Sequence, residues 1–212
     1  MTIPLFLPRR RFLKTGGSAA LVAAVPFIVR PAHAGRLLTP TPSQAEGPFY
    51  PVRLPMDHDA DLLRNGHLIY SLGQPAWVEG TVVDVRGQPV SGAVVEIWQC
   101  DEDGRYHHPG DGGRADPAFQ GFGRMQVGRD GAYRFRTIRP ARYGSRTPHI
   151  HFKVRLGAQE LLTTQLYVEG DPGNERDFLW RRLSADGRRA ITVPFSPDGS
   201  DVRARFPIVV AL

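Results

Sequence analysis

The chain has 212 residues, with 27 Lys and Arg against 21 Asp and Glu, a formal charge of +6 and a single cysteine. Five of the basic residues and none of the acidic ones lie within residues 1–34, so the rest is close to neutral; with no recognition motif present, the high overall charge is no argument for a nucleic-acid partner. One cysteine excludes an intramolecular disulfide, and the roughly 180 residues beyond the first 34 suffice for one domain with a substantial core.

In chain order, Arg9-Arg10-Arg11-Phe12-Leu13-Lys14 forms a basic opening, Ser18 to Val29 a modest apolar stretch, and Ala32-His33-Ala34 an A-x-A cleavage site. The pattern reads as a twin-arginine export signal over residues 1–34. It implies the Tat export machinery as a partner and a periplasmic or secreted destination. The apolar stretch is shorter than the ~18 residues of a spanning helix and is interrupted by Pro26, which weighs against a membrane anchor. Export of an already folded chain also suits a protein that takes up its metal before leaving the cytoplasm.

Residues 35–76 read as an extended arm, in which Pro40, Pro42, Pro48 and Pro51 discourage a helix. From Trp77 onward short strands are separated by turns. Trp77 to Asp84 is broken by Gly87-Gln88-Pro89; Val94 to Gln99 follows; Gly131 introduces Ala132 to Arg136, where Tyr133 and Phe135 alternate with arginines. Later strands are expected at His149 to Leu156, Leu161 to Val168, Arg189 to Val193 and Val202 to Val209, with Pro207 on an edge or at a bulge. Asp177 to Leu183 has room for one or two helical turns. The expected fold is an all-β, single-domain β-sandwich over residues 77–212 behind an irregular, proline-rich arm. Cys100, after a core strand and without a base partner, reads as a small buried hydrophobe.

The chemistry concentrates in four side chains. In the strand Pro148-His149-Ile150-His151-Phe152, period-two alternation puts both histidines on one face. Alone, such a pair is also compatible with zinc, copper or a hydrogen-bonded structural role. Tyr143 lies six positions before His149, in a turn marked by Pro140 and Gly144, and Tyr106 lies in the loop after Val94 to Trp98. Together these residues offer two phenolate oxygens and two imidazole nitrogens to one ferric ion.

At this point the chain resembles the intradiol ring-cleavage dioxygenases, particularly protocatechuate-dioxygenase-like and secreted members. The resemblance rests on Thr41 to Tyr50, Gly92 to Cys100 with Gly104-Arg105-Tyr106, Phe122-Gly123-Arg124, Arg146 to Phe152, and Thr164 to Tyr167, matched in order. It implies non-heme Fe(3+) held by Tyr106, Tyr143, His149 and His151, with Tyr143 the tyrosinate that leaves when substrate binds and Tyr106 the one that stays. It further implies that Arg146 steadies charge on the bound diolate, that Gln165 lies near the oxygen pocket, and that Gly47 and Pro48 lie at the mouth of the site. Substrates would be a catechol-type aromatic and O2, and the product a cis,cis-muconate-type diacid.

Two departures stand out. The step from Tyr143 to His149 is shorter than in protocatechuate enzymes, which bears on substrate identity. No stretch is long enough for the helical N-terminal domain through which catechol- and hydroxyquinol-type members dimerise. Gly80 to Val95 with Asp130 to Phe135 also resembles prealbumin-like β-sandwich modules, a topology the catalytic reading shares and one that can serve a non-catalytic binding role. A zinc hydrolase is a further alternative, against which the two tyrosines weigh.

Overall fold

The computed structural model describes residues 37–212; the leader expected over 1–34 and the first two residues of the arm lie outside them. Two five-stranded sheets pack face to face as an all-β sandwich. The first sheet is built on β3 (Pro75–Asp84). It pairs antiparallel with β6 (Ala132–Ile138), and parallel with β11 (Asp201–Arg205) and β12 (Ile208–Val210) along successive stretches; β10 (Ser196–Asp198) extends β11. The second sheet has the order β5 (Phe122–Gln126), β4 (Val94–Trp98), β7 (His149–Leu156), β8 (Gln159–Val168), β9 (Thr192–Val193). A small hairpin of β1 (Arg64–Asn65) and β2 (Leu68–Ile69) precedes them. Among the described residues no helix is long and apolar enough to cross a membrane.

Alternation along the strands sets the core. Val78, Val82, Tyr133 and Phe135 from the first sheet meet Val95, Ile97, Ile150, Phe152 and Val154 from the second in one buried cluster. Each such side chain contributes roughly 1.5–3 kcal/mol on leaving water. Phe152 bridges the layers, edge-on to Phe206 at 5.0 Å and to Tyr133 at 5.9 Å. The Tyr133 hydroxyl donates to the Phe206 carbonyl, and it passes over Gly80, where a Cβ would collide with that carbonyl.

Two sequence expectations shift, and one strand is additional. The strand expected at Arg189–Val193 is mostly helix: α2 spans Ala185–Ile191, and only Thr192–Val193 joins the sheet. Ser184 caps α2 by accepting the Gly187 amide, a local bond that outweighs the β-branched run ending the segment. The strand expected over Val202–Val209 breaks at Phe206-Pro207 into β11 and β12, because Pro207 has no N–H for the ladder. Phe122–Gln126 is a strand despite Gly123, whose missing side chain admits Leu62 and the Asp59 carbonyl. The helical turn expected within Asp177–Leu183 is α1 (Phe178–Arg181).

From residue 37 the arm runs extended. Leu38 N–H reaches the Val85 carbonyl at 2.8 Å and Thr41 N–H the Val209 carbonyl at 2.9 Å; Gln44 N–H then reaches the Thr163 carbonyl of β8 at 2.9 Å. The arm thereby crosses from the first sheet onto the outward face of the second. Removing the Tyr133 hydroxyl with Tyr133→Phe strands a buried carbonyl, so urea unfolding is expected to show a loss of about 1–3 kcal/mol. Unchanged stability would mean that this bond contributes nothing to holding β6 and the β11–β12 junction together across β3.

Candidate metal centre

On the outward face of the second sheet, the ladder lines up Phe122, Trp98, His151 and Gln165 in one cross-strand row and Arg124, Glu96, Lys153 and Thr163 in the next; His149 lies opposite Tyr167. Such a face would ordinarily be exposed, yet His149, His151, Gln165, Glu96 and Lys153 are all buried. The expected shared face of the two histidines is present. His149 Nδ1 lies 2.6 Å from the Thr147 carbonyl, so Nδ1 carries the proton and Nε2 is bare. His149 Nε2 and His151 Nε2 are 3.1 Å apart, close enough that at most one proton fits between them. Burial, reinforced by the nearby Arg146 charge, lowers His149 to about 4. Burial and then His149 push His151 well below its usual value, so both rings are neutral at physiological pH. The His151 ring stacks on Trp98 at 4.8 Å with 9° between planes.

The two tyrosines arrive on separate loops. After β4, Asp101 organises its loop by accepting the Arg105 amide at 2.8 Å and, through its other oxygen, the Asp116 amide at 2.8 Å. The Tyr106 amide donates to Asp111 at 2.7 Å. Tyr143 and Arg146 stand at the two ends of one tight turn, closed by Arg146 N–H to the Tyr143 carbonyl at 2.8 Å. The loops meet at Gly104, which has φ +73° and where a Cβ would lie 2.6 Å from the Arg142 carbonyl. The Tyr106 and Tyr143 rings are then 5.2 Å apart, edge to face, and Tyr106 lies 6.2 Å from His151.

Tyr106 is 2 % exposed and its hydroxyl has no hydrogen-bond partner among the described residues. Burial drives its phenol well above the usual value near 10, and burial together with Asp111 raises Tyr143 to a lesser degree. Among the described residues no group of three or more His, Cys, Asp and Glu side chains is placed to hold a metal; the cluster described here offers two phenols and two imidazoles. Cys100 is buried and free, its thiol raised to about 12 by burial, in keeping with an inert packing residue.

Arg146 and Gln165 come together, with an Arg146 Nη2 to Gln165 Oε1 distance of 2.6 Å. Arg146 Nε also donates to Asp177 at 2.6 Å, and Nη2 to the Tyr167 hydroxyl at 3.1 Å. Burial raises the Asp177 carboxyl, but hydrogen bonds from Arg146 and the Trp180 amide outweigh it and leave Asp177 below the usual range. Gln165 donates in turn to the Ala45 carbonyl of the arm at 2.8 Å. Gly47, at φ +77°, borders His151: a Cβ there would lie 3.3 Å from Cε1. Pro48 is exposed and makes none of these contacts.

Several residues at the site carry no role in the sequence reading. Phe49 stacks on Tyr106 at 4.7 Å and meets Tyr143 edge-on at 5.1 Å. Trp98, Thr147, Tyr167 and Asp177 orient the histidines and the arginine. Alternation extended along β8 would have placed Tyr167 on the face of Gln165. Asp177 carries the signature of a helix cap, which it is, accepting the Leu179 and Trp180 amides; its second oxygen's hold on Arg146 leaves no sequence signal.

A family model described as "Dioxygenase" matches residues 45–183. Hydroxyquinol 1,2-dioxygenase of Corynebacterium glutamicum is 34% identical over 171 residues, covering 66% of this chain and 54% of that protein. The protocatechuate 3,4-dioxygenase beta chain of Burkholderia cepacia is 35% identical over 161 residues, covering 69% of this chain and 66% of its own length. The chain thus spans about half to two thirds of the length of these curated relatives. Among solved structures, the dioxygenase domain of a dioxygenase carbohydrate-binding protein fusion from Streptomyces sp. SirexAA-E superposes with a TM-score of 0.66 at 30% identity, over 82% of this chain and 99% of that one.

Gly104→Ala is expected to cost at least about 1 kcal/mol more than Gly144→Ala in urea unfolding. Both sites have positive φ, but only the first meets backbone, whereas Gly144 has open space around it. Equal costs would mean that the two tyrosine loops do not depend on this approach.

Proposed function

Because the chain belongs to the intradiol ring-cleavage dioxygenase family, we propose that it is a ferric-iron enzyme that inserts both atoms of O2 between the hydroxylated carbons of a catechol-type aromatic, giving a cis,cis-muconate-type diacid. The observation that carries this reading is the buried, unpartnered Tyr106 hydroxyl beside His151 and Tyr143. Leaving such a group without a partner costs about 1–3 kcal/mol, a cost removed when the phenolate binds a cation. Hard phenolate oxygens with imidazoles suit ferric iron, and Tyr106, Tyr143, His149 and His151 would hold it. Bound there, iron supplies the Lewis acidity that ionises phenols well below about 10 and activates a chelated diol toward dioxygen.

The chain's own residues divide the remaining work. His149, its Nδ1–H fixed on Thr147, presents a bare Nε2 without reorientation. Tyr106, packed among Phe49, Trp98, Cys100 and Phe122, stays in place. Tyr143, partly exposed at the end of its turn, is free to swing aside and hold at its hydroxyl oxygen a proton taken from the diol. Arg146 is fixed by Asp177, Gln165 and Tyr167, and its charge is felt at His149, His151 and Tyr106; it stabilises negative charge developing on the substrate oxygens. Gln165 acts through Arg146 and the arm. Gly47 and Pro48 form the mouth, where the absence of a side chain at Gly47 leaves room beside His151.

The proposal extends to residues 1–34 as a twin-arginine leader, supported by Arg9-Arg10 and Ala32-His33-Ala34, which would deliver the protein to the periplasm or beyond; a mature protein beginning elsewhere than Gly35 would count against it. For the reaction, iron-loaded enzyme supplied with catechol and ¹⁸O2 is expected to give a diacid with both labels, one in each new carboxyl group. A singly labelled or unlabelled product would overturn the dioxygenase assignment.

A further inference from the structure

Lys153 follows the two histidines on β7 at the same period-two spacing, so it shares their outward face. Its side chain is only 5% exposed, an unusual position for a lysine without charged partners. Two of its contacts are with the arm: the ammonium is paired with Glu46 and lies 3.9 Å from the centroid of the Tyr50 ring. Tyr50 is itself held from below, its hydroxyl donating at 2.9 Å to Glu96, which pairs with Arg124 at 3.3 Å. The third contact, Glu160 at 3.3 Å, belongs to the adjacent strand β8.

Residues 46 and 50 bracket Gly47-Pro48-Phe49. Gly47 borders His151, and Phe49 packs on both Tyr106 and Tyr143. We propose that Lys153 is a positioning residue that clamps both ends of this tripeptide and so holds the roof of the diol site against the metal-binding side chains. This inference rests on the ring-cleavage reading for its functional consequence, though the clamp itself does not. Ionic contact with the half-exposed Glu46 makes closure of the roof dependent on ionic strength, whereas the packing among Phe49, Tyr106 and Trp98 does not share that dependence. Substrate binding, which needs the roof in place, is therefore coupled to a charge outside the reacting centre.

Glu46 and Glu160 supply the control, since both pair with Lys153 but only Glu46 is on the arm. In the iron-loaded enzyme, Glu46→Gln is expected to speed deuterium exchange in the peptide containing the Gln44 amide by roughly 3- to 10-fold, the factor for losing about 1 kcal/mol of pairing. KM for catechol should rise by a similar factor, with kcat and iron content retained. Glu160→Gln should leave both readings at wild-type values. In 1 M salt the wild type should approach Glu46→Gln, and Glu46→Asp should recover part of the protection. Equal effects from the two glutamine variants, or unchanged exchange in Glu46→Gln, would overturn the clamp. A protein that fails to turn over catechol yet shows the exchange difference would count against the ring-cleavage reading and leave the clamp standing.

Discussion

A sheet face that alternation would ordinarily turn to water instead carries two buried imidazoles, an amide, a carboxylate and an ammonium, and the N-terminal arm lies against His151, Gln165, Glu96 and Lys153. Burying those groups is unfavourable unless each finds a partner, and the partners organise the site. His149 bonds the Thr147 carbonyl, Gln165 spans Arg146 and the Ala45 carbonyl, Glu96 meets Tyr50 and Arg124, and Lys153 meets Glu46 of the arm. The arm is therefore part of the site, and its proline-rich sequence keeps it extended enough to reach from the edge of the first sheet across the second.

Burial also sets the charge states. It keeps both histidines neutral and moves the phenols further above their usual value, Tyr106 strongly and Tyr143 less, while Arg146, tied to Asp177, puts a permanent positive charge close by. Neutral imidazoles are ready donors. Near neutral pH the phenols would ionise only with a strong cation present, so the surroundings that disfavour an isolated Tyr106 phenolate would favour a highly charged metal in the proposed site. That electrostatic bias, together with membership of the ring-cleavage family, supports iron as the proposed occupant.

Much of this was legible in the residues. The period-two spacing of His149 and His151 sufficed to put them on one face, and the Pro140 and Gly144 signals sufficed to put Tyr143 on a turn. The sandwich followed from regularly spaced strands. What escaped depends on relations that no local pattern encodes. The stacking of Trp98 on His151 follows from cross-strand register. The clamp on Glu46 and Tyr50 follows from the path of the arm over β7. The run Ile191-Thr192-Val193 reads as strand, but the Ser184 cap makes its first residue the end of α2. Asp177 announces itself as a helix cap and conceals its second task of orienting Arg146.

The proposed function depends on one ferric ion shared by two tyrosines and two histidines, and its most direct test is the visible spectrum of the iron-loaded protein before and after anaerobic addition of catechol. A broad tyrosinate-to-iron absorption that changes on addition, as the diol binds and Tyr143 is displaced, is the predicted result. A colourless protein that added iron leaves colourless would contradict the account and favour a sandwich that binds without catalysing.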